Sequence, residues 1–144
     1  MADQTLAAIH ARFRAVLEAE PLNLTATKDA FSHDRQPNAL LDGAYYLEDG
    51  GLQSNRSMTN YKAVRIDRIV VWVAAKLKFD AAAAQAAMHA TLLTAERYIK
   101  ADGPAHSYHV EVVPGRRMTR PKGGDFLIGS MPLTVDYDVN ESTT

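Results

Sequence analysis

Hydrophobic positions recur along the chain with two periods, and the change from one to the other sets the order of elements. Over residues 3–20, Leu6, Ile9, Phe13, Val16 and Leu17 fall at three- and four-residue spacing, the apolar stripe of a helix that packs by one face. His10, Arg12, Arg14 and Glu18 lie off that stripe. Asp3 is placed to cap this helix and Pro21 to stop it, because the residue before proline avoids helical angles. A second helix is predicted over 80–101, with Asp80 as N-cap and alanines, the best helix formers, at 81–84. Ala84, Met88, Leu92, Ala95 and Ile99 form its buried stripe. Asp102-Gly103-Pro104 closes it with a left-handed glycine and a proline that cannot continue the helix.

Elsewhere the period is two. Residues 44–48 read as a strand entering the turn signal Asp49-Gly50-Gly51. The polar stretch 53–60 (QSNRSMTN) reads as a mobile loop or the tip of an extended hairpin. The clearest strand covers 61–77. There Val64 and Ile66 alternate with Arg65 and Asp67, and after Arg68 the apolar positions Ile69, Val71, Val73, Ala75 and Leu77 take the opposite parity. That change predicts a bulge or a strong twist. Both faces are apolar from 69 to 75, so the centre of this strand is expected to be covered on both sides.

Residues 106–113 and 125–139 read as two further strands. In the latter, Leu133, Val135, Tyr137 and Val139 alternate with Thr134, Asp136 and Asp138, and Pro132 points to an edge or a bulge. Residues 22–43 are a long irregular stretch with Phe31, Leu40 and Leu41 as anchors and room for a short strand at 22–27. Residues 140–144 read as a frayed polar tail. The pattern predicts a single α+β domain over 1–144, a small mostly antiparallel sheet with two main helices packed on one face. Val71, Val73, Met88, Leu92, Val135 and Tyr137 should be buried where the second helix crosses the sheet.

Composition narrows the function classes. A chain of 144 residues, 47% hydrophobic, fits one ordinary core. Sixteen basic and seventeen acidic residues leave a formal charge of −1, which excludes a generally basic nucleic-acid coat but not a local patch. The absence of cysteine removes disulfides, thiolate metal sites and cysteine nucleophiles together. The N-terminal stretch is too charged for a signal-peptide core, and the longest apolar run, 69–75, is far short of the roughly 20 residues that span a bilayer. The chain is expected to stay in the compartment where it is made, with no membrane contact.

Chemistry-bearing motifs are sparse. His106 and His109, three apart in a strand, would point to opposite faces and not chelate a metal together. Gly50-Gly51 and Gly123-Gly124 read as hairpin-turn glycines, since neither pair opens a helix whose N-terminus could hold a phosphate. Asp136 and Asp138 share a face and read as edge charges that discourage strand addition. No catalytic residue, cofactor or metal is expected. The local anomaly is 115–124 (GRRMTRPKGG), where Arg116, Arg117, Arg120 and Lys122 place four positive charges with no acid. One reading is a solvated hairpin loop. The other is electrostatic contact with phosphate or an acidic protein surface, a field that would add up around a symmetric ring.

The order of these elements resembles the tail terminator proteins of long-tailed bacteriophages and gene transfer agents. The resemblance runs through LAAIHARFRAVL, the long irregular segment, RIDRIVVWVAAKLKFD entering AAAAQAAMHATLLTAERYI, and the closing pair HSYHVEVV and DFLIGSMPLTVDYDV. It covers nearly the whole chain but carries no short diagnostic motif. What it implies is a non-enzymatic virion subunit at the tail–neck junction, assembled in the host cytoplasm as a homohexameric ring. Such a ring caps the tail tube, stops its polymerisation and offers a surface to the head-side connector or stopper protein. The basic segment would then face DNA in the lumen or an acidic partner. Another neck or head-completion protein, and a small non-viral ligand-binding α+β domain, stay open as alternatives; convergent polar residues in a pocket would favour the last.

Overall fold

The computed structural model describes residues 2–28, 30–34, 42–58, 61–77, 80–121 and 125–140. Two helices, α1 (Leu6–Glu18) and α2 (Ala81–Asp102), pack on a six-stranded sheet. Its strands are β1 (Thr25–Ala26), β2 (Ala44–Ser57), β3 (Lys62–Lys76), β4 (His109–Val112), β5 (Arg117–Thr119) and β6 (Phe126–Asn140). They lie in the order β1-β2-β3-β6-β4, with β5 also paired to β6. Every pairing is antiparallel except that of β1 with β2. This is the expected α+β class, with the short early strand joining in parallel. Among the described residues no helix is long and apolar enough to cross a membrane.

Both helical stripes are buried as their spacing predicts. Ile9, Phe13 and Leu17 of α1 and Met88, Leu92, Ala95 and Ile99 of α2 enter one core with Ile69, Val71, Val73, Leu133, Val135 and Tyr137 of the sheet. The ends differ in detail. Thr5, not Asp3, caps α1, its hydroxyl accepting from the Ala8 amide at 3.2 Å. Asp3 instead bridges to Asp138, and the Gln4 amide donates to the Asp138 carbonyl at 2.8 Å, so these residues extend along β6. Asp80 caps α2 as expected, its carboxylate accepting from the Ala82 and Ala83 amides. Gly103 is not left-handed: its angles are φ −55° and ψ −55°, a 3₁₀ turn (Pro104–His106) follows, and Ser107 takes the left-handed position at φ 59°. His106 therefore sits in that turn and not in a strand with His109.

The strands correct three expectations. First, β3 has no parity change. It pairs with β6 residue for residue, from Lys62 opposite Asn140 to Lys76 opposite Phe126, and Asp67 lies on the same buried face as Ile69 and Val71. A buried carboxylate on the core side hid the alternation. Second, the irregularities are in β2, at Asp49/Gly51 and Leu52/Ser54, so Asp49-Gly50-Gly51 is a bulge within a strand that runs on to Ser57. The described part of 53–60 is thus the extended hairpin. Third, Pro132 is in a central strand. Its carbonyl accepts from the Val113 amide on the β4 side, and a residue's N–H and C=O share one side of a strand. The missing N–H therefore faces the Val113 carbonyl, so the reciprocal ladder bond is absent and the pairing of β4 ends there.

The sheet face away from the helices has a smaller core of its own. Phe31, Ala44, Ala74, Phe126 and Ile128 are buried there, with Tyr46 and Trp72 packed against them. Phe31 meets the Tyr46 ring edge-on at 5.3 Å, and Tyr46 lies parallel to Trp72 at 6.0 Å. The centre of β3 is covered on both sides, as its double-faced apolarity requires. Leu40 and Leu41 fall outside the described residues, as does 141–144 of the tail.

Candidate functional site

The basic segment is partly strand, not a solvated loop, and the sheet divides its charges between two faces. Arg117–Thr119 form β5 against Ser130–Ile128 of β6. Alternation along an extended chain sends neighbouring side chains to opposite sides. Arg116 turns toward α2, where its guanidinium donates to Glu96 at 3.1 Å and lies 3.8 Å from the Met131 sulfur. Its Nε is buried without an acceptor. Met118 packs against the main core, Arg120 is exposed just beyond β5, and Lys122 lies outside the described residues. Among the described cations of this segment, Arg117 faces away from the helices, into a cleft that sequence patterning did not assemble.

That cleft has a volume of about 400 Å³. Its floor is Val70 of β3 beside Pro132 of β6, which are register partners. Glu48 and Trp72 wall one side, joined by the indole N–H donating to Glu48 Oε2 at 3.0 Å. His33 closes the same end, with Nδ1 2.5 Å from the Thr119 hydroxyl and Nε2 2.8 Å from the Ser130 hydroxyl, and its ring 4.8 Å from that of Trp72. Burial, and then the Arg117 charge, push the His33 imidazole below its ordinary pKa, so it stays neutral at pH 7.

Arg68 supplies the second cation. Its side chain crosses Gly50 so closely that a Cβ on residue 50 would lie 2.8 Å from Arg68 Cγ. Glycine in the β2 bulge therefore makes the berth for this arginine. Arg68 Nε is buried without an acceptor, and no hydrogen bond or ion pair joins either the Arg68 or the Arg117 guanidinium to another described residue. Among the described residues, the cleft thus brings together two guanidinium groups without a bonded partner, a neutral imidazole and a carboxylate already engaged by an indole.

Of the three described cations in the basic segment, Arg117 alone lines this site. Arg68, Glu48, His33 and Trp72 were missed. The available hint was Arg68 itself, a charge at the edge of a strand segment apolar on both faces.

The paired carboxylates also sit differently from expectation. Asp136 faces outward from a central strand, between Ile66 of β3 and His109 of β4, so it guards no edge. Burial, and then the nearby Glu111, raise its carboxyl pKa, against the opposing effect of His109. A different charged cluster ties the helices together: Asp102 accepts from Arg12 at 2.7 and 3.2 Å and from the Tyr108 hydroxyl at 2.7 Å. No family model matches this chain, and no curated protein is significantly similar to it.

Proposed function

We propose that the chain is a structural subunit of a phage-type tail, acting as a terminator: a homohexameric ring at the tail–neck junction that caps the tube and presents a docking surface to the head-side connector. The observation that supports this reading is the β2–β3 arm. β2 is exposed without interruption from Asp49 to Ser57, and the arm carries Leu52, Met58 and Tyr61 at 54%, 57% and 73% exposure. A strand solvated on both faces adds little to its own core, and large apolar side chains on such an arm suit burial against a neighbouring subunit. Among the described residues the outer edge of β2 is paired only at Ala44 and Tyr45, where β1 adds, which leaves most of its length for another chain. Arg117 and Arg120 lie near the opposite sheet edge, where repetition around a ring would concentrate positive charge toward DNA or an acidic partner.

The test is to replace the exposed Leu52, Met58 and Tyr61 with serine and compare both proteins by mass in solution, alone and with tail tube protein. The wild type should form rings on the tube and stop its growth, and the triple variant should keep its fold and do neither. Normal rings and normal capping by the triple variant would overturn the reading.

A further inference from the structure

The geometry points to an oxyanion-binding site in the cleft on the sheet face away from the helices, taking a phosphate group through Arg68 and Arg117. Planar guanidinium forks suit tetrahedral oxyanions because each offers paired donors at fixed spacing, and charge-assisted bonds of this kind are among the strongest that side chains make. Three independent features of the chain build the site. Gly50 leaves room for the Arg68 side chain where any Cβ would displace it. Arg68 lines the cleft with its Nε buried and without an acceptor, so its donors are not spent on the protein and those at the cleft can meet a bound oxygen. The acidic group that could have neutralised the cations, Glu48, is turned to the Trp72 indole instead.

The remaining walls set the size and polarity of the ligand. A volume of about 400 Å³ falls within the range of small-molecule sites and exceeds what a bare phosphate fills. The floor of Val70 and Pro132 is apolar, so the group attached to the phosphate lies over carbon, not over polar backbone. Glu48 has a second carboxylate oxygen with no partner among the described residues, placed to accept from a hydroxyl. A phosphorylated small molecule that also carries a hydroxyl, of the sugar-phosphate class, meets all three conditions. This site does not depend on ring assembly.

Trp72 is the only tryptophan of the chain and lines the cleft, so its fluorescence reports occupancy directly. The full chain should be titrated with inorganic phosphate, with ribose 5-phosphate and with a single-stranded oligonucleotide, at constant ionic strength set by chloride. Saturable fluorescence changes with phosphate and tighter ones with ribose 5-phosphate are expected. Arg117→Gln, an exposed residue, and Arg68→Gln should each weaken binding by about tenfold or more, while Arg97→Gln on α2 should leave it unchanged. Thermal unfolding checks each variant, and Arg117→Gln keeps the test open if Arg68→Gln does not fold. The site is overturned if neither small ligand binds at millimolar concentration, if all three variants weaken binding equally, or if only the oligonucleotide binds.

Discussion

The Tyr137 hydroxyl donates to the Asp67 carboxylate at 2.6 Å, joining β6 to β3 inside the core. Both side chains are buried on the helix-facing side of the sheet. Burial, and then the hydrogen bond and charge of Asp67, push the Tyr137 phenol up to about 12. It therefore remains a donor through the physiological range. Tyr137→Phe keeps the ring but removes the proton that satisfies a buried carboxylate, and should cost about 1–3 kcal/mol. Adding Asp67→Leu should recover part of that loss, because the stranded charge disappears with its partner. Urea unfolding of the two single variants and the double variant measures the coupling.

Gly103→Ala sets two effects against each other. Helix propensity favours alanine by about 1 kcal/mol near a helix end. The added methyl would lie 2.5 Å from the Tyr108 carbonyl oxygen, a backbone atom that moves only with the 3₁₀ turn. The clash should win, lowering stability by about 1–3 kcal/mol. A variant as stable as the wild type by denaturant midpoint would show that the turn yields.

Asp102 gives a pH dependence of definite sign. Burial alone would raise its carboxyl pKa, but hydrogen bonds from Arg12 and Tyr108 outweigh that and hold it below the ordinary value. A depressed carboxyl contributes stability that is complete above the ordinary value of about 3.9 and fades as pH falls through the lower folded-state value. Asp102→Asn should lose about 1–3 kcal/mol at pH 7, toward the smaller figure because Arg12 is 36% exposed. Its stability should then fall less steeply than that of the wild type below pH 4. Unfolding midpoints from pH 2 to pH 7 test both parts.

The arginines of the basic segment should separate by role. Arg116→Ser removes a bond to Glu96 in which both side chains are at least three-quarters buried, and should cost about 1–3 kcal/mol. Arg117→Ser, with no bond to lose, should stay within about 1 kcal/mol of the wild type. Equal melting temperatures for the two variants would contradict the division of this segment between faces.

Leu92 is wholly buried between α2 and the sheet, so Leu92→Ala should cost about 2–5 kcal/mol. An unchanged denaturation midpoint would mean that the α2 stripe does not form the core contact.

What periodicity reveals is burial against one partner, and here it located both helices, the long strands and the six expected core residues. It failed where a polar side chain occupies an apolar position. Asp67 on the core face of β3 looked like solvent parity, because its compensation, Tyr137, lies 70 residues away along the chain. The same non-locality hid the cleft. Glu48, Arg68 and Arg117 belong to three strands, and His33 comes from the irregular stretch, so no spacing within one segment brings them together. Pro132 misled for the opposite reason: it reads as an edge residue, yet it lies in a central strand at the point where the pairing of β4 ends.

The place of β6 in the sheet also governs when the domain can fold. It pairs with β3, β4 and β5, yet it is the last of the six strands to be synthesised. While a ribosome is still making the chain, both helices and the β2–β3 hairpin can form, but β3 has no partner on its inner side and β4 and β5 have none at all. The helix-facing core can close only after residues 126–140 have emerged, so the apolar faces of α1, α2 and β3 must wait uncovered. Folding of this domain therefore waits for its last strand and is governed by contacts between residues far apart in sequence.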